Sequence, residues 1–329
     1  MVSSYAYWGS LSSFAFPEYS ADRFSTLDFP FEDELRAKGL LPLSVTADDI
    51  ERLAQKNTQR VLTRAAEELF QKELLANCSD HLVDRIKTYS IRGSGLSNGW
   101  LTTLPISPSL RLITPHFQSA LRLRYNIRQI DPKLVPYCHC KAKMTELHPF
   151  ACRSSDVIAR HNGISLVLKN AASRAGLQVV MERPFLHGSR TLKPDLVVMG
   201  LCAGFYMSWV DVSVCHPHMT SYESKSAAVV VKERAMMKLK KYHAALPSFN
   251  ANCYPAVLDV FGRPSRFLLE LIGAISTQAG QNRDFEDTVF ANYLKAELSC
   301  ALQRGNALIM TGAAVKSLVA HVAASESSF

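Results

Sequence analysis

The sequence lacks a long hydrophobic run. Its longest apolar stretch, residues 196–210, stops at Asp211 and is shorter than the about 20 residues that a membrane-spanning helix needs. Residues 1–8 also lack the basic segment and apolar core of a secretory signal peptide. We therefore expect a soluble, intracellular protein, nuclear or cytoplasmic, with no membrane partner. Its 8 cysteines are then expected to be thiols or metal ligands rather than disulfides.

Internal repeats and low-complexity blocks are absent as well, so a solenoid or a disordered chain is not expected. The 329 residues are 47% hydrophobic, which is enough for a sizeable core in one large or two ordinary domains. The formal net charge of +8 favours a polyanionic partner. Nucleic acid is the first candidate, and an acidic membrane surface is the second.

Residues 193–214 form the most informative stretch. Two β-type runs flank a turn that contains glycine, and each run carries one aspartate, Asp195 or Asp211. A hairpin would bring the two carboxylates near one end of a sheet, where burial is costly unless something binds them. Oxygen ligands of this kind suit Mg²⁺. Alternatively, Asp195 belongs to a simple Pro-Asp turn, and Asp211 pairs with a nearby lysine.

Residues 138–152 contain a second pattern, Cys-x-Cys-x7-His-x3-Cys. Three thiolates and one imidazole at this spacing predict a tetrahedral Zn²⁺ site, formed by Cys138, Cys140, His148 and Cys152. The alternative is a short loop with reduced cysteines. The site is too small to fold alone, so we expect it to fasten the loop before the next helix.

A helix predicted from Thr114 carries arginines on its polar face. These residues could hold nucleic-acid phosphates, or they could form an ordinary solvated face; they are Arg122, Arg124 and Arg128.

The next predicted helix begins near residues 155–156 and includes Arg160 and His161. We regard both as candidates for nucleic-acid binding. His161 is also a candidate metal ligand, an acid/base group or a packed core histidine. Glu182 ends the strand predicted after this helix and is a candidate third carboxylate at the metal.

The order of elements from residue 155 is helix, three strands, helix, strand and helix. Residues 221–246 are predicted as one long basic helix, 254–262 as a strand and turn, and 264–279 as an amphipathic helix. One or two further helices are expected over 285–322, followed by a disordered tail from 324. This order predicts an α/β core in which helices flank a short mixed sheet.

Taken in order, these motifs resemble the PD-(D/E)xK nuclease superfamily. The zinc cluster, Arg160-His161-Asn162, Lys193-Pro194-Asp195, Asp211 and Lys238-Leu239-Lys240-Lys241-Tyr242 follow one another as in the restriction-like endonuclease domain of site-specific non-LTR retrotransposons. The likeness is greatest to the reverse-transcriptase-associated C-terminal regions of their polyproteins, which also carry a segment like Trp-Leu-Thr-x-Leu-Pro at 100–105. It covers about residues 100–310. No Tyr/Phe-x-Asp-Asp motif occurs, so polymerase activity is not expected.

The resemblance implies a restriction-endonuclease-like core over 154–265. A basic helix and zinc loop over 96–153 would precede it, after an irregular arm and helical linker over 1–95. Helices and a tail would follow over 266–329.

The resemblance implies that Asp195, Asp211 and Glu182 surround a catalytic Mg²⁺ and that Zn²⁺ is structural. The superfamily places its lysine two residues after the second acid, but this chain has Ser213 there. Related domains carry the lysine on the following helix, which makes Lys238 or Lys241 the candidate. Lys225 and Lys232 are alternative candidates for the same role.

The function expected from the resemblance is a metal-dependent DNA endonuclease that nicks target DNA. Its expected partners are DNA, the RNA of a retroelement and a reverse transcriptase encoded elsewhere. Ser213 favours the alternative, a catalytically inactive nucleic-acid-binding remnant or scaffold module.

Overall fold

The computed structural model describes residues 95–125, 127, 135–145, 147–152, 157–222 and 224–326, which belong to one compact unit. The irregular arm and the helices predicted before residue 90 lie outside these residues, as does Arg128. The domain boundaries predicted at 95, 153 and 265 stay predictions.

The described residues contain seven α-helices. They are α1 (Gly99–Thr102), α2 (Thr114–Arg124), α3 (His148–Ala151), α4 (Val157–Arg174), α5 (Ala227–His243), α6 (Arg266–Arg283) and α7 (Asp287–Glu326). None of these helices combines the length and the apolar character that crossing a membrane requires.

The strands of the described residues form two sheets. They are β1 (Gln178–Met181), β2 (Phe185–His187), β3 (Arg190–Leu192), β4 (Leu196–Met199), β5 (Met207–Cys215) and β6 (Ala251–Asp259). The main sheet has the order β1-β4-β5-β6, while β2 and β3 form a separate hairpin. Strand β4 is antiparallel to both β1 and β5, and β5 is parallel to β6, so the main sheet is mixed.

Strand β5 is buried along almost its whole length, and its two faces meet different layers. Because side chains alternate along a strand, Val210 and Val212 enter the main core, which α4, α6 and α7 cover. Trp209 enters a second cluster together with Tyr242 of α5. Asp211 also contacts Tyr242, so this carboxylate lies on the α5 side of the sheet.

The helices on the main-core face are long because their apolar residues recur at helical spacing. In α4, Ile164, Leu168 and Ala172 are buried at intervals of four residues. Ser265 is the N-cap of helix α6, and its side chain accepts a hydrogen bond from the Leu268 amide. Helices thus cover both faces of a small mixed sheet, which confirms the predicted mixed α/β class.

Several predicted boundaries change. The basic helix predicted for 221–246 begins only after Ser226, because Thr220–Tyr222 form a separate 3₁₀ turn, and it ends at His243. The tail expected to be disordered from 324 continues α7 as far as Glu326. The β2–β3 hairpin, which turns at Gly188 with a φ of 59°, was not predicted.

Candidate functional site

The main sheet brings Asp195 and Asp211 to the same level on neighbouring strands. Leu196 of β4 pairs with Val210 of β5, so the next position in this antiparallel register sets Asp195 opposite Asp211. The Glu182 amide donates to the Asp195 carbonyl over 2.9 Å, which extends the β1–β4 ladder. Glu182 just after β1, Asp195 just before β4 and Asp211 in the middle of β5 therefore share one level of the sheet.

Asp211 is a buried carboxylate, 3% exposed, with three partners from helix α5. Lys238 Nζ lies 2.7 Å from its Oδ1, and Lys241 Nζ lies 3.3 Å from its Oδ2. The Tyr242 hydroxyl lies 2.6 Å from the same Oδ2. These helix residues are three and four positions apart and so share one helix face.

The partners of Asp211 decide its charge. Burial opposes ionisation, but hydrogen bonds from Lys238 and Tyr242 and the charges of Lys238 and Lys241 outweigh it and lower the pKa of Asp211. Asp211 is therefore an ionised carboxylate held within a group of cations.

Asp195 has two partners of its own. Its Oδ2 accepts a 2.6 Å hydrogen bond from the Val212 amide of β5, and its Oδ1 lies 3.2 Å from His161 Nε2 in the first turns of α4. The hydrogen bond to Asp195, opposed by burial and helped by the charges of both aspartates, raises the pKa of His161. Of the three interpretations of His161, a packed core histidine fits least, because its side chain is 34% exposed and faces a carboxylate.

Tyr242 ends the Lys238–Tyr242 motif, and the sequence alone predicted no role for it. Its side chain is fully buried, and its ring packs edge-on against Trp209. Its hydroxyl lies between Asp211 and the Lys193 carbonyl, and Lys241 donates to it over 2.7 Å. Burial, followed by the hydrogen bond to Asp211, raises the pKa of Tyr242 and keeps it neutral. The spacing Lys238-x-x-Lys241-Tyr242 is the sequence pattern from which the shared contact of these three side chains with Asp211 could have been predicted.

Glu182 lies at the level of Asp195, but its carboxylate pairs with Lys193 at 2.5 Å. Both side chains are more than half exposed, and Glu182 has a positive φ of 51°. The hydrogen bond from Lys193 lowers the pKa of Glu182. The structure thus gives Glu182 a solvent-exposed ion pair, and its part at a metal stays a prediction.

Ser213, at the position where the resembling nucleases have lysine, is buried and contacts α5. Arg234 Nε donates to its Oγ over 3.0 Å, a contact that the sequence did not suggest. Of the two alternative candidates for the catalytic lysine, Lys225 pairs with Glu233 at 2.7 Å, and Lys232 is exposed. Lys238 and Lys241 are the two that contact Asp211.

The predicted Cys/His cluster comes together. The ligand atoms of Cys138, Cys140, His148 and Cys152 all lie within 4.8 Å of one another, and within the described part of the chain no other group of three or more such side chains does so. Cys138 Sγ and Cys152 Sγ are 3.8 Å apart, which is the edge of a tetrahedron with Zn–S bonds of about 2.3 Å. This Cys₃His cluster can bind a metal ion such as zinc.

The chain preforms this cluster with a tight turn. The Cys138 amide donates to the Ala142 carbonyl, and Lys141 takes a positive φ of 69°. Burial raises the pKa of the Cys138 thiol and, together with the charge of His139, lowers the pKa of His148. A neutral imidazole is ready to bind metal, and a bound cation would offset the cost of ionising the thiols.

The cluster is attached to α4 and α7. The His139 amide donates to Ser317 Oγ of α7 over 3.0 Å, and Phe150 joins an apolar cluster with Phe261 and Ile309. The Arg160 guanidinium lies 5.8 Å from the Phe150 ring. The loop is thus packed on the core, as its predicted fastening role requires.

The expected nucleic-acid arginines have different surroundings. Arg160 is 5% exposed and donates to Asn306 over 2.9 Å, and burial lowers its pKa to about 10. In this conformation Arg160 faces the protein interior rather than a phosphate. Arg122 is exposed beside a cavity of about 230 Å³, whereas Arg124 is half-buried and donates to Asn98.

The described residues therefore define a mixed α/β protein with a Cys₃His cluster that can hold a metal ion. Compared with known proteins, the chain matches no model of a protein family and no curated protein.

Proposed function

We propose that the protein is a Mg²⁺-dependent DNA endonuclease with a restriction-endonuclease-like core, and that it hydrolyses phosphodiester bonds at Asp195 and Asp211. The observation that carries this proposal is the meeting of two carboxylates from adjacent strands with two lysines of α5. The combination offers oxygen ligands for a cation and, beside them, ammonium groups for a phosphate.

The surroundings of the two carboxylates fit a divalent cation. Asp211 is buried and ionised, and the Lys238 and Lys241 ammonium groups occupy the positions beside it that a cation would take. Mg²⁺ is often held by only one or two carboxylates together with water and substrate phosphate. Asp195 and Asp211 would hold the ion, which when bound would polarise the phosphate and lower the pKa of a water molecule.

The lysines would act on the substrate. If a cation took the place of a Lys238 or Lys241 ammonium at Asp211, that ammonium would be available to hold the non-bridging phosphate oxygens. An ammonium at that place also stabilises the charge that develops on the phosphate in the transition state. The Tyr242 hydroxyl keeps Asp211 in position, since it is buried and remains neutral.

The rest of the molecule would bind and support the substrate. The Cys₃His cluster, with Zn²⁺ in a structural role, fixes the loop beside the first turn of α4. The exposed lysines of α5 and Arg122 would contact the DNA backbone, which positions a duplex without specifying a sequence. A nick with a free 3′-hydroxyl would serve a separate reverse transcriptase and its template RNA, in the nucleus or the cytoplasm.

A non-catalytic nucleic-acid-binding module is the second candidate. It is favoured by the complete charge pairing of Asp211 and by the Ser213–Arg234 contact, which takes the place of the usual lysine. Such a module would bind DNA without added Mg²⁺ and would not cut it.

Plasmid nicking with Mg²⁺ tests the proposal. The natural chain is compared with Asp195→Asn, Asp211→Asn and the matched control Glu270→Gln, which alters an exposed acid paired with Arg266. We expect nicking by the natural chain and the control but not by the two aspartate variants. If the natural chain does not nick but binds DNA with a steep salt dependence, the second candidate is correct.

A further inference from the structure

The β2–β3 hairpin is inserted between two neighbouring strands of the main sheet, next to the candidate site. Strands β1 and β4 are adjacent in the sheet, and the hairpin belongs to the chain that connects them. Glu182 comes just before the hairpin, and Asp195 follows shortly after it. Both ends of the hairpin therefore lie close to the level of the sheet that carries Asp195 and Asp211.

One face of the hairpin is anchored by aromatic packing. Phe185 and Leu192 form a cross-strand pair, and both are buried. The Phe185 ring lies 4.6 Å from the Trp209 ring and 5.1 Å from the Phe249 ring, measured between centroids. Trp209 and Tyr242 of α5 belong to the same apolar cluster. The hairpin is thus fixed on the α5 face of the sheet, where the Asp211 carboxylate also lies.

The other face of the hairpin is open to solvent. Because side chains alternate along a strand, the next cross-strand pair, Leu186 and Thr191, points away from the aromatic cluster. Both residues are exposed, and Leu186 is 71% exposed. At the turn, a Cβ added to Gly188 would meet no non-neighbouring atom of the described residues within 4 Å. The hairpin therefore presents a two-stranded ribbon with an apolar side chain on its outer face.

The ribbon carries positive charge without an acid of its own. Residues 183–193 contain Arg183, Arg190 and Lys193 but no aspartate or glutamate. Lys193 is paired with Glu182, whereas the exposed Arg190 side chain makes no hydrogen bond or ion pair within the described part of the chain. The exposed Arg183 guanidinium lies 5.4 Å from the centroid of the anchored Phe185 ring, which restricts its position. These charges suit a polyanion.

We propose that the β2–β3 hairpin enters the major groove of duplex DNA beside the bond that is cut, with Arg183 and Arg190 on phosphates and Leu186 against base edges. This inference rests on the proposed function for its DNA partner. Two strands about 4.8 Å apart form a ribbon that fits a major groove about 12 Å wide. An apolar side chain in this groove can contact the methyl group of thymine.

Duplex RNA separates groove entry from simple charge attraction. It carries the same phosphates, but its major groove is deep and too narrow for side chains to read. A hairpin that only attracts negative charge would bind both duplexes equally well. A hairpin that enters the major groove favours duplex DNA of the same sequence.

The experiment uses the full chain with its Cys₃His cluster loaded with zinc, without Mg²⁺ so that DNA is not cut. Fluorescence anisotropy gives dissociation constants for duplex DNA and duplex RNA over a range of salt concentrations. The natural chain is compared with the double variant Arg183→Gln/Arg190→Gln, with Leu186→Ser and with the control Arg283→Gln. Arg283 is an exposed arginine that lies beside Gly176, before the opposite end of β1.

A second readout locates the groove. Guanine N7 lies in the major groove, so its protection from dimethyl sulfate is recorded for each protein bound to duplex DNA. The comparison of DNA with RNA and the N7 protection are both measured on the natural chain as well, so two arms of the test require no substitution.

We expect the natural chain to prefer duplex DNA to duplex RNA and to protect guanine N7. In the double variant, the slope of log K against log salt should become shallower by about 1.8, which is about 0.9 for each lost phosphate contact. Leu186→Ser should weaken DNA binding at every salt concentration without changing the slope, and it should reduce the preference for DNA. Arg283→Gln should behave as the natural chain does.

The inference and the proposed function fail in distinguishable ways. If the natural chain nicks DNA with Mg²⁺ but the double variant keeps the full salt slope, or if N7 is not protected, the hairpin does not enter the groove and the endonuclease stands. If the expected changes in binding occur but the natural chain does not nick, the inference stands with the non-catalytic module. If the natural chain neither binds nor nicks DNA, both fail.

Discussion

Lys238 of α5 donates a 2.7 Å hydrogen bond to the buried Asp211 carboxylate of β5. This bond joins the helix to the face of the sheet that carries the site, and it neutralises a charge that would be costly to bury alone. The lysine is thus a structural partner of Asp211 as well as the proposed partner of the phosphate.

Replacement of Lys238 by methionine should affect activity more than folding. Lys241 and Tyr242 still contact Asp211, so we expect a loss of about 2 kcal/mol in unfolding free energy, in the lower part of the range for hydrogen bonds to charged groups. Nicking should fall at least about 100-fold, as for groups that stabilise transition-state charge. Urea unfolding and plasmid nicking measure both effects. Lys232→Met is the control on the same helix, and an equal effect there would contradict the assignment.

Removal of the Tyr242 hydroxyl tests the support of Asp211. In Tyr242→Phe the ring still packs on Trp209, but the hydrogen bond to Oδ2 is lost. We expect a loss of about 1 kcal/mol in unfolding free energy and a smaller loss of nicking than in Lys238→Met. The matched control is Tyr206→Phe, which alters an exposed tyrosine. Unchanged stability in Tyr242→Phe would show that the hydroxyl is dispensable.

The His161–Asp195 contact predicts a pH-dependent contribution to stability. Because the contact raises the pKa of His161 above its ordinary value of 6.5, its contribution is fully present below that pH and is lost as the pH rises through the folded-state pKa. The stability difference between the natural chain and His161→Ala should thus be larger at about pH 6 than at about pH 9. Urea unfolding of the zinc-loaded proteins without Mg²⁺ or Mn²⁺ measures it. A difference that increases with pH would have the wrong sign.

The Cys₃His cluster predicts one bound zinc ion per chain. Cys152→Ser should lose the ion, because thiolates dominate its binding, and the thermal midpoint should fall as the loop detaches from α7. Elemental analysis and thermal unfolding measure the two effects. Cys202→Ser, a change in a half-buried cysteine of the β4–β5 turn, should keep the zinc. Retention of zinc by Cys152→Ser would rule out this ligand set.

Gly262, after β6, provides a test of packing. Its φ is 97°, and an added Cβ would lie 2.7 Å from the Ser97 Cα, so the backbone itself would have to move. At Gly200 the φ is 70°, but an added Cβ would have no non-neighbouring atom within 4 Å. We expect Gly200→Ala to cost about 1 kcal/mol, the strain alone. Gly262→Ala should cost at least about 2 kcal/mol more, as overpacked sites do. Equal losses on urea unfolding would exclude the steric contribution.

The parts of the site that have a local signal in the sequence could be predicted. The spacing of Cys138, Cys140, His148 and Cys152 lies within 15 residues of chain, so it predicts their meeting almost independently of the fold. The mixed α/β class likewise follows from periodicity and element order.

The remaining features depend on tertiary packing. No local pattern indicates that Arg160 is buried beside Phe150 and Asn306, because a basic residue in a first helical turn usually faces solvent. The choice of Lys238 and Lys241 over Lys225 and Lys232 depends on where α5 begins and how it is rotated on the sheet. The roles of Tyr242 and Arg234 depend on the same geometry.

Arg160 and His161 are consecutive residues of α4, yet Arg160 packs beside Phe150 of the zinc loop and His161 contacts Asp195. One helical turn therefore has its position set by the Cys₃His cluster on one side and by the carboxylates on the other. Occupancy of the cluster and affinity at the carboxylates should consequently be linked, and by thermodynamic reciprocity each site would influence the other equally. Zinc would then act as an allosteric effector of the site it does not touch.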